Sequence, residues 1–224
     1  MSGSGGGASR SSSSSWADEW DECPDDDEYG HEGYGQDDDI PEDGRDWRRA
    51  KGIFILAPIG GEAGERIAEL QRSYDPKLAA MNAPHLTLAG SSGVGPVAAG
   101  TSESMLRQAL EPVVRSMAPL SLRFSAPVRF MQTNIVSLPL DPNGPIRELF
   151  DRIRASGLTF GPVRFAFTPH ATLSYFPTLD RARERALLAE RVTAPAVIDR
   201  LELSMTNDPQ PPRKLLELML EGGR

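Results

Sequence analysis

Residues 84–88 have the sequence PHLTL, and residues 169–173 have the sequence PHATL. Two of the three histidines in the chain therefore lie in the same five-residue frame, each preceded by proline and followed two positions later by threonine. In a β-strand, residues i and i+2 point to the same face. The spacing predicts that His85 projects beside Thr87 and His170 beside Thr172, while the intervening residues enter a core.

The segments around the two motifs repeat in the same order. Each half of the chain shows the pattern of a strand, a helix, the motif strand, a second helix and a further strand. Matching positions are offset by 82, 82, 85, 78 and 77 residues, counted from Gly52, Ala63, His85, Ser102 and Leu120. A period this long indicates two similar lobes and not a solenoid.

These patterns predict an α+β fold for residues 51–224. We expect a duplicated, two-lobed fold with lobes at about 52–130 and 134–205. Each lobe is expected to contain an antiparallel-type sheet with two helices, the lobes being related by a pseudo-twofold axis, with the His-x-Thr strands facing a central cleft. A last strand at 213–220 is expected to form a hairpin with 197–205 across the turn NDPQPP.

Residues 1–50 differ from the rest of the chain in composition. A Gly/Ser-rich stretch leads into an acidic segment, and the 50 residues carry a net charge of −11, against +3 for the remainder. Low hydrophobicity with high like charge predicts a disordered tail. Such a tail could be a solubilising extension, could dock on its own basic domain, or could bind another protein.

The remaining compositional features concern the compartment. The only cysteine, Cys23, lies in the tail, which excludes a disulfide framework and favours the cytoplasm. The chain has no apolar run suited to a signal peptide or a membrane span, so no membrane partner is expected.

The paired motifs suit acid–base chemistry on a phosphodiester. Histidine can accept or donate a proton near neutral pH, so two imidazoles can serve the attacking and the leaving oxygen of an in-line displacement. The hydroxyls of Thr87 and Thr172 can donate hydrogen bonds to the non-bridging oxygens. No metal or other cofactor is required, and neither His85 nor His170 has an Asp, Glu or Cys within a few residues that could complete a metal site.

Longer phrases around the motifs carry a family resemblance. These phrases are IFILAPIGGEAGERIAELQ at 53–71, APHLTLAG at 83–90 and FTPHATLSYF at 167–176. Over about residues 51–221 the chain resembles the two-histidine phosphoesterase superfamily, most closely its 2′-5′ RNA ligase and cyclic phosphodiesterase branch. The resemblance implies that His85 and His170 form the acid–base pair and that Thr87 and Thr172 bind the phosphate. It also implies an RNA or cyclic-nucleotide substrate, with opening of 2′,3′-cyclic phosphates or joining of 2′-5′ linkages.

One position departs from this family pattern. Many RNA-ligase-type members have an arginine three residues after the second threonine, where this chain has Tyr175. Tyr175 can donate a hydrogen bond but brings no positive charge, which leaves Arg164 and Arg129 as candidates for phosphate neutralisation. Arg164 shares the strand face of His170 if the pairing stays regular, and Ser174 is a further candidate donor on that face.

Three classes of function remain open from the sequence. The first is a metal-independent phosphodiesterase, expected to be a monomer. The second is a non-catalytic module that binds nucleotides or RNA in the same cleft. The third is a scaffold that acts through its acidic tail. The presence of both histidines and both threonines favours the enzyme.

Overall fold

The computed structural model describes residues 51–131, 133–163, 165–176, 179–207 and 210–222. The predicted tail, residues 1–50, lies outside the described residues. The elements in chain order are β1 (Lys51–Pro58), α1 (Gly61–Tyr74), α2 (Pro76–Met81), β2 (His85–Ala89), α3 (Glu103–Arg115), β3 (Leu120–Leu122), β4 (Val128–Arg129), β5 (Val136–Pro139), α4 (Pro145–Arg154), β6 (His170–Ser174), α5 (Arg181–Ala189), β7 (Ala196–Ile198), β8 (Arg200–Asn207) and β9 (Gln210–Met219).

Seven of these strands form one antiparallel sheet with the order β4-β5-β6-β2-β1-β8-β9, and β3 pairs with β7 in a second, small sheet. The fold is therefore α+β. The order is symmetric about the contact between β2 and β6, because β1 and β5 flank this pair and β8 and β4 come next. The two halves thus share one continuous sheet, whereas the sequence led us to expect a separate sheet in each lobe. The difference arises because the two motif strands pair with each other, so that neither is left as an open edge.

The two motif strands have matching neighbours. The pairs of β1 with β2 are Leu56–Thr87, Ala57–Leu86 and Pro58–His85, and those of β5 with β6 are Ser137–Thr172, Leu138–Ala171 and Pro139–His170. In each ladder the register shifts immediately beyond the threonine pair. The local geometry of one motif strand is therefore repeated at the other.

The helices that follow the motif strands begin in matching ways. The Ser102 side chain accepts a hydrogen bond from the backbone N–H of Met105 at the start of α3. The Asp180 side chain accepts from the backbone N–H groups of Ala182 and Arg183 at the start of α5. Both residues satisfy N–H groups that have no partner within their own helix.

The core lies between the helices and one face of the large sheet. Leu86 and Leu88 of β2 and Leu173 of β6 are fully buried there, together with Ile67 of α1 and Leu106 of α3. The alternation of buried and half-buried positions along β2 and β6 leaves the opposite face of these strands for the motif side chains. Within the described residues, none of the helices is both long and apolar enough to cross a bilayer.

The remaining differences concern short elements. The pattern at 197–205 is not one strand, because β7 ends at Ile198 in the small sheet and β8 begins at Arg200 in the large sheet. The helix α2 and the two-residue strand β4 were not expected. Pro112 lies inside α3, which nevertheless continues to Arg115.

Candidate active site

The two histidines and two threonines of the motifs lie on one face of the sheet. Leu86 pairs with Ala171 across β2 and β6, and both of these side chains are fully buried in the core. Because side chains alternate along a strand, the residues on either side of this pair point to the opposite face, where they are half-buried. The four residues are His85, Thr87, His170 and Thr172.

The register fixes how the four side chains are arranged. Continued outward from the Leu86–Ala171 pair, it places His85 across from Thr172, and Thr87 across from His170. Side chains directly opposite each other have Cβ atoms about 5 Å apart, and diagonal neighbours are about 7–8 Å apart. The two histidines are such a diagonal pair. This spacing leaves room for a phosphate group between two imidazoles, with a hydroxyl on each side.

Each imidazole is held by the backbone two residues before it, just ahead of its own strand. The His85 Nδ1 atom donates to the carbonyl oxygen of Ala83, and the His170 Nδ1 atom donates to that of Thr168, each over 2.7 Å. Because a carbonyl oxygen only accepts, Nδ1 carries hydrogen in both rings. Nε2 is then the atom that can accept a proton or, once protonated, donate one.

Burial lowers the pKa of both histidines below the ordinary value of 6.5. For His85, the Ala83 carbonyl and the charge of Glu202 raise the pKa and oppose this effect, whereas the charge of His170 lowers it further. For His170, the Thr168 carbonyl opposes the effect of burial. Burial thus favours the neutral imidazole, the form that accepts a proton, whereas the Glu202 charge favours the imidazolium of His85, the form that donates one.

Two residues that sequence reasoning missed adjoin His170 and Thr172. The Phe130 ring meets the His170 ring edge to face, with centroids 4.9 Å apart. Ser137, opposite Thr172, is fully buried, and its Oγ has no hydrogen-bond partner in the described part of the chain. Neither residue has a sequence signal of its own, since each is brought here by pairing with β6 or by the β4–β5 turn.

The structure corrects the prediction for Ser174. Thr172 pairs with Ser137, and Ser174 pairs with Val136. Between these two pairs β6 advances by two residues and β5 by only one, so β6 contains a bulge. This bulge turns Ser174 to the face opposite Thr172. Ser174 is fully buried, and its hydroxyl lies 3.4 Å from the Asp75 carboxylate. It is therefore not placed to contact a phosphate beside Thr172.

The structure also corrects the prediction for Arg129. Arg129 pairs with the buried Val136, so it lies on the face opposite the motif side chains, where its guanidinium is 3.1 Å from the Glu184 carboxylate. Arg164 lies outside the described residues. Tyr175 follows the end of β6, with an exposed ring that meets Phe176 edge to face, and it remains a candidate hydrogen-bond donor.

The end of β6 is tied to the first half of the chain by α1 and Asp75. The Gln71 side chain of α1 donates to the carbonyl oxygen of Thr172 over 2.8 Å. The fully buried Asp75 accepts hydrogen bonds from the backbone N–H groups of Tyr175 and Phe176 over 2.8 and 2.9 Å. The order Asp-Pro is a signal for a helix start, but nothing in the sequence shows this contact across the chain.

Several solved structures are similar to this chain over most of its length. TT0787 of Thermus thermophilus is 18% identical, with 77% of this chain and 99% of that chain covered and a TM-score of 0.50. LigT of E. coli in complex with 3′-AMP is 15% identical, with coverages of 76% and 98% and a TM-score of 0.47. A structure described as a phosphoesterase is 18% identical, with coverages of 76% and 98% and a TM-score of 0.47. At 18% identity, the likeness to TT0787 concerns the fold alone.

Comparison with protein families is more specific. No curated protein matches the chain. The family model of the 2′-5′ RNA ligase superfamily, however, matches residues 60–209. This match spans more than half of the chain and includes both His-x-Thr strands, the strand β5 that pairs with β6 and the helices between them. The chain therefore belongs to the 2′-5′ RNA ligase superfamily.

Proposed function

We propose that the protein is a metal-independent phosphodiesterase of 2′-5′ RNA ligase type that opens 2′,3′-cyclic phosphates on RNA ends or cyclic nucleotides. One observation carries the proposal. The register of β2 and β6 puts two imidazoles, each with Nδ1 bound to a backbone carbonyl, on a diagonal of one sheet face with a threonine beside each. The protein is proposed to act as a monomer in the cytoplasm.

The arrangement supports an in-line displacement at phosphorus. The Nε2 atom of one histidine accepts a proton from the attacking water, and the Nε2 atom of the other gives a proton to the leaving ribose oxygen. The Thr87 and Thr172 hydroxyls donate hydrogen bonds to the non-bridging oxygens, where negative charge is held in the transition state. The ring opens to a phosphomonoester and a free ribose hydroxyl.

Activity with EDTA present tests this proposal. We expect turnover of 2′,3′-cyclic mononucleotides or of RNA with a cyclic phosphate end, at a rate unchanged by EDTA, because the two imidazoles supply both proton transfers. A panel that also contains 2′-5′-linked oligonucleotides identifies the substrate, and phosphorus NMR identifies the product. Loss of activity in EDTA that is restored by a divalent cation contradicts the proposal. Binding of these ligands without turnover favours a nucleotide-binding module instead.

Deleting residues 1–48 tests a role for the acidic tail. The tail carries −11 and the remaining chain +3, so a tethered polyanion can compete with RNA at high effective concentration. We expect the deletion to lower KM for an RNA substrate at low salt. The difference should shrink as salt rises, because the Debye length falls from about 10 Å at 0.1 M to about 3 Å at 1 M. Identical KM values at low salt would leave the tail as a solubilising extension or a binding segment for another protein.

A further inference from the structure

The two halves of the site differ in charge at one pair of matching positions. In the half that contains His85, Leu56 of β1 pairs with Thr87 of β2 on one edge of its strand and with Glu202 of β8 on the other edge. On the other side, Ser137 of β5 stands between Thr172 and Val128 of β4 in the same way. Residues that pair directly share a face of the sheet. Glu202 and Val128 therefore occupy equivalent positions on the motif face, one a carboxylate and the other apolar.

The Glu202 carboxylate is held in place by its neighbours. The Ser204 hydroxyl donates to Oε1 over 3.0 Å, and the Lys214 ammonium lies 3.3 Å from Oε2. The Glu202 side chain is 27% exposed. A charge that is fixed and largely shielded from solvent is screened less by salt than a free surface charge.

His85 and His170 consequently have different surroundings. Among the described residues, the charge of Glu202 from β8 raises the pKa of His85 and the charge of His170 from β6 lowers it, and Lys214 of β9 is bound to Glu202. Further along the same face, Arg200 lies 3.5 Å from the second carboxylate of this network. That carboxylate belongs to Glu217, which also pairs with Lys214.

On the other side, His170 is contacted by an aromatic ring. Phe130, two residues after Val128, meets the imidazole edge to face. The position that corresponds to Glu202 is filled by the Val128 side chain, which brings no charge. A carboxylate stabilises a nearby imidazolium, whereas an apolar neighbour favours the neutral ring.

We propose that Glu202 is a positioning residue that assigns the two proton-transfer roles, so that His85 protonates the leaving ribose oxygen and His170 deprotonates the attacking water. The assignment rests on the function proposed above. The step begins with His85 as the imidazolium and His170 as the neutral imidazole. The water oxygen bonds to phosphorus while its proton moves to Nε2 of His170. The bond from phosphorus to the leaving ribose oxygen breaks, and that oxygen takes the proton from Nε2 of His85. Exchange with solvent returns both histidines to their starting states.

Glu202→Gln in the full-length protein tests the assignment. Glutamine can still accept from Ser204, but the charge is lost. The chain has three histidines, so their ring signals can be followed individually by NMR during a pH titration. We expect the pKa of His85 to fall and that of His170 to stay constant. The alkaline limb of kcat/KM should move to lower pH, so that activity at pH 8 falls by about threefold or more relative to pH 6.

Two variants control this experiment. Glu217→Gln removes the neighbouring carboxylate, which also pairs with Lys214, and should leave the pKa of His85 and the pH profile unchanged. Val128→Glu puts a carboxylate at the matching position and should raise the pKa of His170, which moves the acidic limb to higher pH. An unchanged His85 pKa in Glu202→Gln, or an equal fall at both histidines, overturns the inference whether or not the protein is active. Absence of turnover in the wild type, with the expected change at His85, overturns the proposed function and leaves only the coupling between Glu202 and His85.

Discussion

Replacing either His85 or His170 with alanine is expected to lower turnover of a 2′,3′-cyclic phosphate substrate by about a hundredfold or more. A single general acid or base contributes about a hundredfold to ten-thousandfold. Both imidazoles lie on the same face of the sheet, and because each Nδ1 atom is bound to a backbone carbonyl, Nε2 is the ring nitrogen left for proton transfer. Alanine removes that nitrogen without adding a group that can replace it. The measurement is the first-order rate constant under single-turnover conditions, with enzyme in excess, so that product release does not mask the chemical step.

The double variant distinguishes a concerted pair from two independent contributions. Because both proton transfers serve one displacement, the variant that lacks both histidines should be hardly slower than either single variant. Thr87→Ala and Thr172→Ala should lower turnover by a smaller factor, since each removes a neutral hydrogen-bond donor and leaves both proton-transfer groups in place. His31→Ala, outside the two motifs, is the control and should retain full activity. Near-normal turnover in both single histidine variants would exclude the proposed mechanism.

The spacing of residues within each motif was sufficient to predict the candidate site. The strand period of two placed His85 beside Thr87, and the structure confirms this face because the intervening Leu86 is fully buried. The same argument failed at Ser174, because a bulge in β6 interrupts the alternation after Thr172. This bulge adds one residue to the strand and has no compositional signal in the sequence. The strand period of two therefore predicts side-chain faces within the motif but not beyond Thr172.

Contacts between distant parts of the chain could not be predicted from the sequence. Glu202 adjoins the motif face only because β8 pairs with β1, and no pattern near residue 202 indicates that register. The pairing of β2 with β6 likewise joins the halves into one sheet, whereas local periodicity describes each half separately. Hydrophobic alternation shows which face of a strand is buried, but it does not show which strands are neighbours.

Asp75 is the strongest case of a residue whose role depends on such a contact. One oxygen of its carboxylate accepts from the backbone N–H of Leu78, 3.1 Å away, at the start of α2. The other accepts from the N–H groups of Tyr175 and Phe176, and the Ser174 hydroxyl is 3.4 Å from it. The side chain thus joins the junction of α1 and α2 to the end of the strand that carries His170. All of these bonds are made by a residue with no exposed surface.

Asp75→Ala is therefore expected to destabilise the protein by about 3–5 kcal/mol, because it leaves several buried donors without an acceptor. Urea unfolding followed by circular dichroism measures this loss. The matched control is Asp180→Ala, since Asp180 also accepts from two backbone N–H groups at a helix start but is exposed and joins no distant strand. Asp180→Ala should lower the free energy of unfolding by a distinctly smaller amount. Asp75→Asn keeps the size of the side chain but turns one acceptor into a donor that faces other donors. Its loss of unfolding free energy should lie between those of Asp75→Ala and Asp180→Ala. If Asp75→Ala is no more destabilising than Asp180→Ala, then the end of β6 is held by packing of the sheet and not by this carboxylate.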